Sequence, residues 1–124
     1  MPRAWVIEDN DLNFELVEFL LEEAGWTVER ARDGAEFEKL LDGPVPDSVL
    51  LDMNLPDTSG MHLAARLRAS PLHAAVPILA VTAHVMQGDK ERFLAAGCDG
   101  YVAKPIEKAR LFAEIEAARL KEPR

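Results

Sequence analysis

Five residues stand where short apolar runs give way to polar sequence, and their types point to one kind of chemistry. Glu8 and Asp9 follow AWVI, Asp52 closes VLL, Thr82 closes PILAV, and Lys104 comes just after Tyr101-Val102. If these runs are parallel strands, the five side chains gather along the carboxyl edge of a sheet, where open α/β sheets bind their ligands. Three carboxylates packed together raise one another's pKa unless a cation offsets them, and hard oxygen donors suit Mg2+ with its near-octahedral preference. The cluster asks for a divalent cation. Lys104 has only the like charge of Lys108 at i+4 and Glu107 beyond a proline, so its expected partner is a carboxylate across the sheet.

The elements that must deliver these residues are legible in the hydrophobic spacing. Residues 4–7 read as a strand, and residues 11–24 as a helix with Leu12, Leu16, Phe19 and Leu20 at helical spacing, stopped by Gly25. Residues 27–31 form a more polar second strand, 34–41 a short helix, and 43–47 a Gly-Pro-rich loop. A third strand spans 48–51, followed by a helix over 59–69 with Leu63 and Leu67 at i, i+4. Residues 77–81 are a fourth buried run, 86–96 a helix ending at Gly97, and 101–102 a short fifth strand. A closing helix covers 106–120, with Leu111, Ile115 and Ala118 on its apolar side. Five β/α alternations predict a parallel sheet with helices on both faces. Trp5, Trp26, Met61 and Cys98 read as packing residues, His62 and His73 as surface.

Composition excludes several classes. At 124 residues the chain suits one domain, 1–124, and 48% hydrophobic content is enough to bury a core. The 22 acidic residues outnumber 14 basic ones, and a formal charge of −8 repels phosphate backbones and anionic lipid alike. Direct binding of nucleic acid or membrane is disfavoured. No apolar run approaches the roughly 18 residues of a membrane span, the first ten residues do not look like a signal peptide, and a cytoplasmic location is expected.

Taken in order, IEDN, LLDMNLPDTSG, VTAH and GCDGYVAKPI resemble the motifs of response-regulator receiver domains, and the resemblance covers essentially the whole chain. It implies a flavodoxin-like, doubly wound α/β fold with five parallel strands in the order 2-1-3-4-5 and five helices. It implies that Asp52 accepts a phosphoryl group from a sensor histidine kinase or a histidine phosphotransfer protein. Glu8, Asp9, Asp52 and the backbone carbonyl of Asn54 would then organise Mg2+, while Thr82 and Lys104 hold the phosphoryl oxygens. Ala83 is small where an incoming phosphate needs room. His84 either tunes how water reaches the acyl phosphate or is an exposed loop histidine. Thr82 and Tyr101 occupy the switch positions, and Lys104-Pro105 matches the position where the family uses a cis peptide.

The chemistry is coherent with those assignments. A carboxylate is a weak nucleophile, but phosphoryl transfer asks mainly for in-line positioning and for cations on the equatorial oxygens, which Mg2+ and Lys104 provide. The chain is expected to be a phosphoacceptor that catalyses its own phosphorylation and dephosphorylation, not an enzyme acting on other substrates. With four residues after Leu120, no effector domain is expected, so output runs through a partner protein on the face of the fourth helix, fifth strand and fifth helix. A receiver module of a hybrid kinase system and a docking module without phosphorylation remain alternatives. An electron carrier of the flavodoxin type would need a phosphate loop where this chain has Glu8, Asp9 and Asp11. A haloacid-dehalogenase-type phosphatase would need an aspartate where Asn54 stands.

Overall fold

The inner strands carry unbroken apolar runs, AWVI, VLL and ILAV, because both sides of the sheet are covered. The computed structural model describes residues 1–83 and 85–121, and His84 lies outside the described residues. The elements alternate as β1 (Arg3–Ile7), α1 (Asp11–Glu23), β2 (Thr27–Ala31), α2 (Gly34–Leu40), β3 (Ser48–Asp52), α3 (Gly60–Arg68), β4 (Ile78–Thr82), α4 (Asp89–Ala96), β5 (Gly100–Ala103) and α5 (Lys108–Arg119). Every residue of β3 and β4 is buried, whereas the edge strand β2 is only partly so. All pairings are parallel, in the order β2-β1-β3-β4-β5. The chain therefore reverses direction across the sheet between β1 and β3, and the carboxyl ends at such a switch point are where open α/β sheets bind ligands.

Alternation along the strands splits the core in two. Trp5, Ile7, Val49, Leu51, Ile78 and Ala80 belong to one apolar cluster with Phe37 of α2, Leu63 and Leu67 of α3 and Phe93 of α4. Ala4, Val6, Leu50, Leu79, Val81 and Val102 belong to the other, with residues of α1 and α5. Caps fix where the helices begin: Asn10, Asp33 and Ser59 each accept a backbone N–H three residues on, from Asn13, Glu36 and His62. Helix α4 ends at Gly97, whose φ of 115° is left-handed and whose added Cβ would come within 2.7 Å of Arg68 Cγ.

Three expectations need correction. Helix α1 buries Phe14, Val17, Leu20 and Leu21, while Leu12 (77% exposed), Leu16 and Phe19 (61% exposed) face outward. Both stripes have helical spacing; only the position of the sheet decides which is covered. His73, read as surface, is buried: its Nδ1 lies 2.7 Å from Ser70 Oγ and its ring tilts against Trp5 with centroids 5.5 Å apart. The turn after α3 folds back over the core and carries it inward, and burial, aided by the Arg66 charge, pushes its pKa down. Helix α4 starts at Asp89 rather than at residue 86, because the Met86 N–H donates to Asp89 Oδ2 and the Asp89 N–H to the Met86 carbonyl, closing a turn. Trp5 and Cys98 are fully buried, and Trp26 and Met61 pack partly buried against the two clusters.

Candidate functional site

Strand register brings the polar residues to one edge. Ile7 pairs with Leu51 and Asp52 with Val81, so Glu8, one residue beyond Ile7, comes level with Asp52. Thr82 pairs with Ala103, and the Lys104 N–H donates to the Thr82 carbonyl at 2.8 Å, which carries the lysine to the same edge. Glu8, Asp52 and Thr82 are each 4% exposed, Lys104 is partly buried and Asp9 is exposed. The peptide between Lys104 and Pro105 is cis.

The side chains meet closely. Carboxylate oxygens of Glu8, Asp9 and Asp52 all lie within 4.8 Å of one another. The Lys104 ammonium reaches Glu8 Oε1 at 3.0 Å and Asp52 Oδ2 at 3.1 Å, giving the lysine the cross-sheet carboxylates its sequence context lacks. Asp52 Oδ1 accepts the Asn54 N–H at 2.9 Å, and Glu8 Oε2 accepts the Asn10 N–H at 3.2 Å. One ammonium faces three carboxylates, and the charge does not close. Burial, then the hydrogen-bonded Asp52 carboxyl, pushes Glu8 up to about 7 against the opposing pull of Lys104 and the Asn10 N–H. Burial works to lower Lys104, but its bonds and charge contacts with Glu8 and Asp52 outweigh it and hold the ammonium above its ordinary value. An oxygen-only donor set with excess negative charge fits a divalent cation such as Mg2+.

Two residues that the sequence reading left without a role brace the loops of the site. Arg30 on β2 donates to the Glu8 carbonyl at 3.1 Å and the Asp9 carbonyl at 3.3 Å, pairs with Asp11 at 2.9 Å, and stacks over the Phe14 ring at 4.4 Å. Asp57 accepts the Gly34 and Ala35 N–H groups at 2.8 and 3.2 Å. A charged residue inside a polar edge strand was the only sequence signal for Arg30; Asp57 left none, because its partners are backbone.

Tyr101 is half-buried between Phe93, with ring centroids 6.5 Å apart, and Arg110, whose guanidinium lies 5.8 Å from the tyrosine centroid. It lines a groove of about 700 Å³ together with Val85, Ala103, Pro105, Arg110 and Lys104 itself. The groove is thus lined both by the lysine of the carboxylate cluster and by the aromatic residue. Ala83 is exposed directly after Thr82.

Residues 4–116 match the family model described as the response regulator receiver domain. A Brucella anthropi protein named polar-differentiation response regulator DivK is 36% identical over 118 residues, covering 94% of this chain and 96% of its own. Among solved structures, a Chloroflexus aurantiacus protein assigned as a response regulator superposes with a TM-score of 0.90 at 31% identity, covering 97% of this chain and 98% of its own. The receiver domain of a Pseudomonas aeruginosa sensor histidine kinase, with a magnesium ion coordinated in its active-site cleft, gives a TM-score of 0.86 at 31% identity and covers the same shares of both chains.

Proposed function

This chain belongs to the response regulator receiver domain family of two-component signalling, and from that premise we propose that it is a phosphoryl-accepting switch whose acceptor is Asp52. The observation that carries this reading is the Lys104 ammonium held at 3.0 Å from Glu8 and 3.1 Å from Asp52, beside three clustered carboxylates. Glu8, Asp9, Asp52 and the Asn54 carbonyl would hold Mg2+, which supplies positive charge to the oxygens of the transferring group.

The donor is a phosphohistidine on a sensor histidine kinase or a histidine phosphotransfer protein. An Asp52 oxygen attacks phosphorus, an O–P bond forms, and the P–N bond breaks with its electron pair passing to the imidazole ring. Lys104 follows the charge, leaving the free carboxylate for a phosphoryl oxygen. The Thr82 side chain, buried at the end of β4, turns toward the new oxygens and vacates space for Tyr101 to move inward. That exchange of contacts biases a packing equilibrium. The partner reads it on the groove shared by Lys104 and Tyr101, within the face of α4, β5 and α5. The whole cycle runs in the cytoplasm, within one receiver domain over residues 1–124.

Incubation with acetyl phosphate and Mg2+ should add one phosphoryl group to the protein, and Asp52→Asn should abolish it. Equal labelling of that variant in intact-mass spectra removes Asp52 as the acceptor. No labelling of the unaltered protein, with no response to beryllofluoride, leaves a docking module that works without phosphorylation.

A further inference from the structure

Asp57 is exposed, belongs to neither core cluster, and still makes two hydrogen bonds to a distant element. Its loop leaves the end of β3 at Asp52. Asn54 is tied at its start, donating its N–H to Asp52 Oδ1, and pairs across the loop with Ser59 in an isolated bridge. A turn closed by the Leu55 N–H on the Thr58 carbonyl at 3.2 Å presents Asp57 at the tip. The two carboxylate oxygens then divide between successive amides of α2, Oδ1 on Gly34 and Oδ2 on Ala35. These first-turn amides have no acceptor within their own helix, and Asp33, the cap of α2, serves Glu36 instead. The fit is tight: a Cβ on Gly34 would lie 2.9 Å from Thr58 Cγ2 and 3.3 Å from both Asp57 oxygens.

Resting on the reading above, in which the Asn54 carbonyl is a metal ligand, we propose that Asp57 is a positioning residue for that ligand. The Asn54 carbonyl turns with the peptide whose Leu55 N–H bonds the Thr58 carbonyl, and holding that turn in place before the cation arrives removes its ordering cost from binding. Asp57 does this from the far side of the loop, strapping residues 54–59 to the start of α2. Groups behind the ligands of a metal typically govern about 10- to 100-fold of its affinity. By reciprocity, the cation that orders the loop also tightens the strap, so α2 responds to Mg2+ without touching it.

The test is Mg2+ titration by NMR of the full chain, with amide exchange at Gly34 and Ala35 followed in parallel. Asp57→Ala should raise the Mg2+ dissociation constant about tenfold. Asp57→Asn, which loses the charge but keeps a carbonyl oxygen for Gly34, should raise it less. In the unaltered protein Mg2+ should slow exchange of both amides, and in Asp57→Ala the exchange should no longer depend on Mg2+. Equal losses in Asp57→Ala and Asp57→Asn, meaning an effect of charge alone, overturn the proposal. Unaltered affinity in Asp57→Ala, or amides indifferent to Mg2+ in the unaltered protein, overturn it as well. Asp9→Ala separates the two levels: abolished binding there with normal binding in Asp57→Ala defeats only the strap, whereas normal binding in Asp9→Ala defeats the metal site on which it rests.

Discussion

Two buried ion clusters of this fold solve the same electrostatic problem in opposite ways. Arg68 and Asp99 join the end of α3 to the approach of β5, with side chains 15% and 8% exposed. The guanidinium donates to Asp99 Oδ2 at 2.9 Å, to the Gly97 and Ala74 carbonyls at 2.9 Å, and to the Val76 carbonyl at 2.7 Å. Asp99 in turn accepts the Ile78 N–H at 2.8 Å. A guanidinium meets a carboxylate, and three backbone carbonyls take further donors. At the carboxyl edge of the sheet the side chains are about as buried, Lys104 at 18% and Glu8 and Asp52 at 5%. There one cation serves two carboxylates with Asp9 beside them, and Glu8 is driven to about 7. On the proposed reading, the excess negative charge left open at the sheet edge is what a divalent cation would complete, and perturbed groups of this kind cluster at functional sites.

The contrast breaks most visibly on the closed side. Removing one partner of a buried pair leaves the other uncompensated, at a cost of about 3–5 kcal/mol. Arg68→Ala also strands three carbonyls, so urea unfolding should show a loss of at least about 3 kcal/mol while the folded fraction still labels at Asp52. A loss below about 1 kcal/mol, the scale of exposed pairs, would make this pair no different from a surface contact.

On the open side, removing charge should help. The Glu8 carboxyl has a folded pKa of about 7 against an ordinary 4.5, so between those values the folded protein binds a proton that the unfolded chain has released. Its contribution is therefore fully present below about pH 4.5 and is lost as pH rises through 7. At about 1.4 kcal/mol per unit, the metal-free protein loses at most about 3.5 kcal/mol from this group across that window. Glu8→Gln should flatten the slope, measured by urea unfolding in chelator at a series of pH values. Mg2+ should displace the shared proton, so its apparent affinity rises with pH through the same range; an affinity flat from pH 6 to 8 contradicts the charge deficit.

The open cluster was legible in the chain because charged residues that end apolar runs are conspicuous, and parallel topology sends every strand's end to one edge. Glu8, Asp9, Asp52, Thr82 and Lys104 come together for that reason. The closed cluster was not legible: Arg68 and Asp99 lie 31 positions apart with no periodicity linking them. The buried face of α1 failed differently, since Leu12, Leu16 and Phe19 make as good a helical stripe as Phe14, Val17 and Leu21. Local spacing proposes faces; only contact with the sheet selects one. His73 went inside because a turn, not a periodic element, carried it there.

Where the open cluster meets the surface, the expected effect is smallest. Lys104 and Tyr101 line one groove, so a change in which oxygens hold the lysine should be felt next to the aromatic ring without travelling through the core. The far end of α4 is held by the Arg68 bond to Gly97, so the response should stay near Tyr101 and the start of that helix. Coupling between two sites usually amounts to about 1–3 kcal/mol, or roughly 5- to 150-fold in affinity. A partner on this face should therefore bind the beryllofluoride form tighter than the free form by a ratio in that range. Tyr101→Ala should shrink the ratio by removing the ring between Phe93 and Arg110, while acetyl phosphate still labels Asp52 at the original rate. NMR of the free protein provides the check without a partner in hand: beryllofluoride should shift resonances around Asp52 and along α4, β5 and α5. Shifts confined to the loops of the site, with none around Tyr101, would mean that the open cluster signals through another surface.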